Sequence, residues 1–187
     1  MSTTNNISVV GLDLSLASTG IAIHTGGPTI TTTTIRPKAK MRGFERLDHI
    51  LEQIVDFTHS GLTDLVVVEG PSYGSTGAGG HERAGLWWLV VRSLHHREVP
   101  YAIASPKSRA KYISGRGDAN KREVIAGVTQ LCPWWDARKR PGLDDEADAL
   151  SLCAMGCDKL GCPVFPAPES HRDALTGVEW PTNLAHA

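Results

Sequence analysis

Four carboxylates stand where carboxylates are uncommon: Asp13, Glu69, Asp145 and Asp148. Asp13 closes the apolar run Ile7-Ser-Val-Val-Gly-Leu-Asp13, and Glu69 closes a second, Leu65-Val-Val-Val-Glu69. Asp145 and Asp148 lie three apart in Asp144-Asp-Glu-Ala-Asp-Ala-Leu150, at the head of an otherwise apolar helix. Acids are depleted in strands and rarely buried without a partner. An acid closing each of two apolar strands therefore marks a site at the strand ends, where open α/β sheets bind ligands. Residues three apart share a helix face, so Asp145 and Asp148 can point into that site together. Clustered carboxylates repel one another unless a cation sits among them. Oxygen donors without histidine suit Mg²⁺, with Mn²⁺ able to substitute, and two such ions can drive in-line attack on a phosphodiester. The four acids are expected to hold the metal and carry the catalysis of a metal-dependent nuclease. Singly, three of them also have a structural use, Asp13 as a turn residue, Glu69 as a strand exit, and Asp145 with Asp144 and Glu146 as complements to a helix dipole, whereas Asp148 is set among apolar residues.

The elements that position them follow from periodicity. Residues 6–14 and 19–24 read as strands joined by a short hairpin loop, and the threonine-rich stretch 29–35 as a third. Phe44, Leu47, Ile50, Leu51, Ile54 and Val55 give helical spacing over 42–59, stopped by Gly61. Strand 64–69 precedes the glycine-dense loop 70–80. The helix over 81–97 carries Leu86, Trp87, Trp88, Leu89, Val90, Val91 and Leu94, an apolar arc wide enough to serve a core or a partner subunit. A short strand 100–104 follows. Ser105 can cap a helix beginning at Pro106, Asn120 one running to Leu131, and a last helix covers 144–160. The order β-β-β-α-β-α-β-α-α predicts an α/β fold, a mixed five-stranded sheet with helices on both faces.

A chain of 187 residues fits one domain. Residues 1–162 are expected to form it, with the proline-rich stretch 163–187 as a tail or packed arm. No apolar run approaches the ~20 residues needed to span a bilayer, and the N-terminus lacks signal-peptide regions, so a cytoplasmic protein with no membrane contact is expected. Cys132, Cys153, Cys157 and Cys162 lack zinc-site spacing and read as free thiols. A formal net charge of −1 does not advertise nucleic-acid binding, but its distribution does. Between Tyr101 and Arg122, six basic residues (Lys107, Arg109, Lys111, Arg116, Lys121, Arg122) face one acid, Asp118, a balance of +5. With Arg138-Lys-Arg140 beyond it, this segment suits a phosphate-tracking groove beside a metal site.

This arrangement resembles the RuvC family of Holliday-junction resolvases, within the ribonuclease H-like superfamily. Gly11-Leu-Asp-Leu-Ser-Leu-Ala-Ser-Thr-Gly20 is similar to the family's first-strand motif, Val66-Val-Val-Glu69 to its fourth-strand Glu, and Asp145-Glu-Ala-Asp-Ala-Leu150 to its C-terminal helix motif. Pro106-Lys107 and Gly115-Arg-Gly-Asp-Ala-Asn-Lys121 resemble its basic helix start and glycine-lysine segment at the DNA surface. The resemblance covers roughly residues 6–158. It implies a ribonuclease H-like fold, cleavage of four-way junctions, and phosphate contacts from Lys107 and Lys121. From the charge balance Arg109, Lys111 and Arg116 are expected to bind DNA with them, and the apolar arc of helix 81–97 is expected to form a homodimer. The chain departs from the family at the junction-stacking aromatic, for which Tyr73 is the nearest candidate, so flaps and other branched DNA remain possible substrates. The adjacent Trp87 and Trp88 also make the interface helix bulkier than the family pattern.

Three other readings remain. Gly11-Leu-Asp-Leu-Ser-Leu also resembles the first phosphate loop of actin-like and sugar-kinase ATP-binding proteins, although 187 residues leave no room for both of their halves. An RNA-processing nuclease of the YqgF type shares the nuclease fold, but such chains are usually shorter and lack the long interface helix. A DNA-binding scaffold would have a degenerate site, against which the four intact acids argue.

Overall fold

The computed structural model describes residues 7–59, 61–71, 79–182 and 184. Strands β1 (Ser8–Asp13), β2 (Thr19–Thr25), β3 (Thr31–Ile35), β4 (Leu65–Glu69) and β5 (Tyr101–Ala104) form one sheet in the order β3-β2-β1-β4-β5. β2 runs antiparallel to both β1 and β3, while β4 is parallel to β1 and to β5. Four strands therefore point one way, and their carboxyl ends share one side of the sheet.

Alternation along each strand divides the core into two layers. Val10, Leu12, Ile21, Val66 and Val68 pack under α1 (Gly43–Phe57) and α2 (Gly80–His96). Val9, Ala22, Leu65, Val67, Ala102 and Ala104 meet α3 (Pro106–Ser114), α4 (Lys121–Leu131) and α5 (Leu143–Lys159) on the other face. Sequence signals hold the helix starts: the Ser105 hydroxyl accepts from the Ser108 amide at 3.0 Å, and Asn120 with Glu123 closes a capping box.

Helix α5 lies directly on the sheet centre because two strand residues have no side chain. A Cβ on Gly11 would run into the Ala149 carbonyl, and one on Gly20 into the Asp145 carbonyl. The same helix carries both acids, so these contacts fix where the acids sit. Gly20→Ala is expected to cost about 3 kcal/mol by forcing helix and strand apart. Activity should fall with it, since Asp145 moves too. Denaturant midpoints unchanged from wild type would refute this account.

Beyond α5, the chain forms a short helix, α6 (Glu169–Arg172), and a 3-10 turn (Asp173–Gly177). Arg172 donates to Asp158 at 2.6 Å, a ring nitrogen of His171 donates to the Tyr112 carbonyl at 3.1 Å, and Ile103 bridges Glu179 at the β5 edge. This arm covers α3 and the outer edge strand. All four cysteines are free, and no described helix is long and apolar enough to cross a membrane.

Candidate active site

The strand period decides which way the acids face. Asp13 follows Val9 and Gly11, and Glu69 follows Leu65 and Val67, so both continue the rows that meet α5. Leu12 pairs with Val68, which makes Asp13 and Glu69 neighbours at the carboxyl ends of adjacent parallel strands. Asp145 and Asp148 arrive from the first two turns of α5.

Burial and mutual repulsion set their electrostatics. Burial holds the Asp13 carboxyl well above the usual carboxylate range, and the Glu69, Asp148 and Asp145 charges push it further, against Arg109. Burial likewise pushes Asp148 up to about 7, opposed by Arg109 and assisted by Glu69. Asp145 is raised by burial, with the Ser18 hydroxyl pulling the other way.

The cation among these acids is Arg109. Its guanidinium pairs with Glu69 through Nε and with Asp148 through Nη1, and the residue is only 8% exposed. This corrects the expectation that Arg109 tracks phosphates on a DNA-facing surface. The reason is helical phase: Arg109 shares the buried side of α3 with Ala110, Tyr112 and Ile113, while Lys107 points to solvent. The donor set, all carboxylate oxygen, fits a hard divalent cation. Among the described residues, however, no three acidic, histidine or cysteine side chains come together as a closed metal cage. Arg109 pairs with one oxygen of Glu69 and one of Asp148, two of the groups that a metal would need.

Comparison with known proteins accords with this geometry. No protein-family profile matches the chain. It is 27% identical over 169 residues to the crossover junction endodeoxyribonuclease RuvC of Saccharopolyspora erythraea, covering 88% of this chain and 80% of that protein. The corresponding proteins of Rhodococcus opacus (28% over 156 residues, 80% of each chain) and Salinibacter ruber (26% over 148 residues, 77% and 81%) are similar. Among solved structures, Thermus thermophilus RuvC in complex with a Holliday junction superposes with a TM-score of 0.64 at 18% identity, over 87% of this chain and 99% of that one. The chain is RuvC-like. Its five-stranded sheet is that of the ribonuclease H-like fold.

Around the acidic centre the other expected residues separate. Lys107 is exposed at the start of α3 and lines a groove of about 680 Å³ with Gly70, Pro71 and Ser105. Lys121 is exposed at the start of α4 and pairs with Asp144 at the mouth of the acidic cluster. Lys111 stands 3.8 Å from Asp173 of the arm, and Arg116 is held by Asp118 (3.1 Å) and Glu123 (3.3 Å). Tyr73 lies outside the described residues. The expected second basic cluster is partly structural: Arg140 pairs with buried Glu146 at 2.6 Å and lies over Trp135, whose indole donates to Thr32. Sequence reasoning missed Arg83 and read Trp87 only as a core or interface residue; both line a groove of about 510 Å³ with Asp13 and Glu69. The Trp87 indole donates to the Glu69 carbonyl at 3.0 Å, fixing the strand end that carries the acid. The helical spacing of Arg83 and Trp87, four apart, was the available signal.

The raised carboxyls set a pH dependence for the metal-free protein. Asp148 titrates at about 7 in the fold against an ordinary 3.8, so between those values the folded state keeps a proton that the unfolded chain has lost. Stability from this group is present below 3.8 and is lost as pH rises through about 7, by an amount on the order of a few kcal/mol. Asp13 contributes with the same sign. Melting in a chelator should therefore occur at lower temperature at pH 8 than at pH 5. Mg²⁺ should remove the slope, because a metal needs the ionised ligands. A metal-free protein that gains stability from pH 5 to pH 8 would contradict this reading.

Proposed function

We propose that this chain is a metal-dependent, structure-specific DNA endonuclease that resolves Holliday junctions or related branched DNA by phosphodiester hydrolysis. The observation that carries the proposal is that Asp13 and Glu69 end adjacent parallel strands while Asp145 and Asp148 enter beside them from the first two turns of α5. Mg²⁺, replaceable by Mn²⁺, fits these oxygen donors and would be held by the four acids. When bound it supplies Lewis acidity, lowering the pKa of a water and offsetting charge on the leaving oxygen. The chain's own residues do the rest. Asp13 and Glu69 fix the centre against the sheet, Arg83 and Lys121 face phosphates from either side, and the closely packed α5 keeps the acids from drifting apart. The relatives named above are crossover junction endodeoxyribonucleases and the solved structure is a complex with a Holliday junction, which favours this reading over an ATP-binding or RNA-processing one. Incubation with four-way, three-way, flap and linear DNA in Mg²⁺ tests it. Paired nicks in four-way junctions are expected, and the absence of cleavage on every branched substrate would overturn it.

Resolving a two-fold symmetric junction requires two sites related by the same symmetry, which a C2 homodimer supplies. Helix α2 offers the surface: Trp88 is 65% exposed, whereas Trp87 is turned to the Glu69 strand end. Trp88→Glu is expected to weaken dimerisation by at least about thirtyfold while leaving the fold intact. Sedimentation should then show a monomer that makes single, unpaired nicks. A wild-type protein that is monomeric at micromolar concentration yet resolves junctions would rule out this assembly.

A further inference from the structure

The stretch between β3 and α1 reads Arg36-Pro-Lys-Ala-Lys-Met-Arg42, four basic residues and no acid. Topology brings it to the active site. β3 is parallel to β1, so the chain leaves Ile35 on the side of the sheet where Asp13 and Glu69 end. Asp13 pairs with Gly20, and Gly20 pairs with Thr34, which places this exit two strands, or about 10 Å, from Asp13. On the other flank, Leu12 pairs with Val68 and Glu69 with Ala104, so Lys107 follows the strand two places away in the opposite direction.

The local structure turns these charges outward. Arg42 folds back to donate to the Ala39 and Met41 carbonyls at 2.5 and 2.7 Å, and Arg46 is committed to Glu82 at 2.5 Å. Arg36, Lys38 and Lys40 are exposed, and no ion pair to any of them occurs among the described residues. Arg36 reaches the rim of the acidic cluster: a Cβ on Gly142 would meet its guanidinium, and its charge acts on Asp145 and Glu146. Lys38 stands on a groove of about 440 Å³ that opens toward Leu16 and Ala17 in the loop following Asp13.

We infer that Arg36, Lys38 and Lys40 form a second phosphate-binding edge, so that DNA is gripped on both sides of the scissile phosphate. Arg36 is partly offset by Asp145 and Glu146, but Lys38 and Lys40 have no ion pair among the described residues, and a polyanion crossing the acidic centre needs positive charge before and after it. At 3.4 Å per nucleotide along a strand, a 10 Å offset is about three nucleotides from the cleaved bond. This edge rests on the nuclease reading and specifies which phosphates the site holds.

The test uses Lys38→Gln/Lys40→Gln, leaving Arg36 in place because it borders Asp145. Affinity for a four-way junction in Ca²⁺ should fall roughly tenfold to sixtyfold at 0.1 M salt, and the slope of log affinity against log salt should fall by about two. Phosphate-ethylation interference should disappear on one side of the scissile bond and persist on the other. Lys107→Ala should weaken the interference on the opposite side. Circular dichroism and melting should match wild type. An unchanged salt slope and footprint in the Lys38/Lys40 variant, with wild type binding normally, overturns the inference alone. A wild-type protein that binds no branched DNA overturns both this edge and the nuclease reading.

Discussion

Asp13→Asn will reduce junction cleavage by about a thousandfold or more, roughly 4 kcal/mol of lost transition-state stabilisation, without destabilising the metal-free fold. The amide keeps the volume of Asp13 but removes the charge at the centre of the cluster. In the metal-free protein that charge is a burden, since burial and three neighbouring carboxylates already push Asp13 toward its neutral form. The melting temperature in a chelator should stay level or rise, as expected where a site is arranged for function at the expense of stability. Junction affinity in Ca²⁺ should be equal or tighter, because one negative charge facing the phosphates has gone. Two measurements decide the matter, single-turnover cleavage in Mg²⁺ and melting in chelator. Undiminished turnover would remove Asp13 from the mechanism. Lost turnover together with a large fall in melting temperature would point to a structural role instead.

The sequence carried this site further than it carried the residues around it. Strand alternation placed Asp13 and Glu69 on one face because a period of two survives any change in packing partner. The (i, i+3) spacing of Asp145 and Asp148 did the same for α5. Caps at Ser105 and Asn120 were legible because their hydrogen bonds are local. Long-range pairing was not legible. Glu146 looked like a helix-start acid but bonds Thr32, 114 residues away, and Arg140. Arg140 looked like a phosphate contact and instead stacks on Trp135. The arm after Pro163 gave no periodicity because it is held by irregularly spaced buried residues, Phe165, Ala174 and Val178, and by single contacts to α3 and Asp158, not by a repeating face. In each case the missing information was which distant partner a charge would find.

Arg109 is the sharpest instance, and its removal will separate metal binding from folding. A guanidinium held between two buried carboxylates offsets their repulsion only while no other cation is present. Arg109→Met keeps much of the apolar stem and removes the charge. Breaking a buried pair from one side typically costs about 3–5 kcal/mol, so the variant should melt well below wild type in a chelator. Two divalent ions would supply four positive charges to the same oxygens, so saturating Mg²⁺ or Mn²⁺ should restore most of that loss. Calorimetry should also show tighter Mn²⁺ binding, because the metal no longer displaces an internal competitor. Arg109→Lys should fall between the two, since an ammonium cannot bridge both carboxylates with a planar fork. If Arg109 served only to hold α3 against α5, the loss of stability would be the same with and without metal, and Mn²⁺ affinity would not change. That result would return Arg109 to the ordinary packing of the helix.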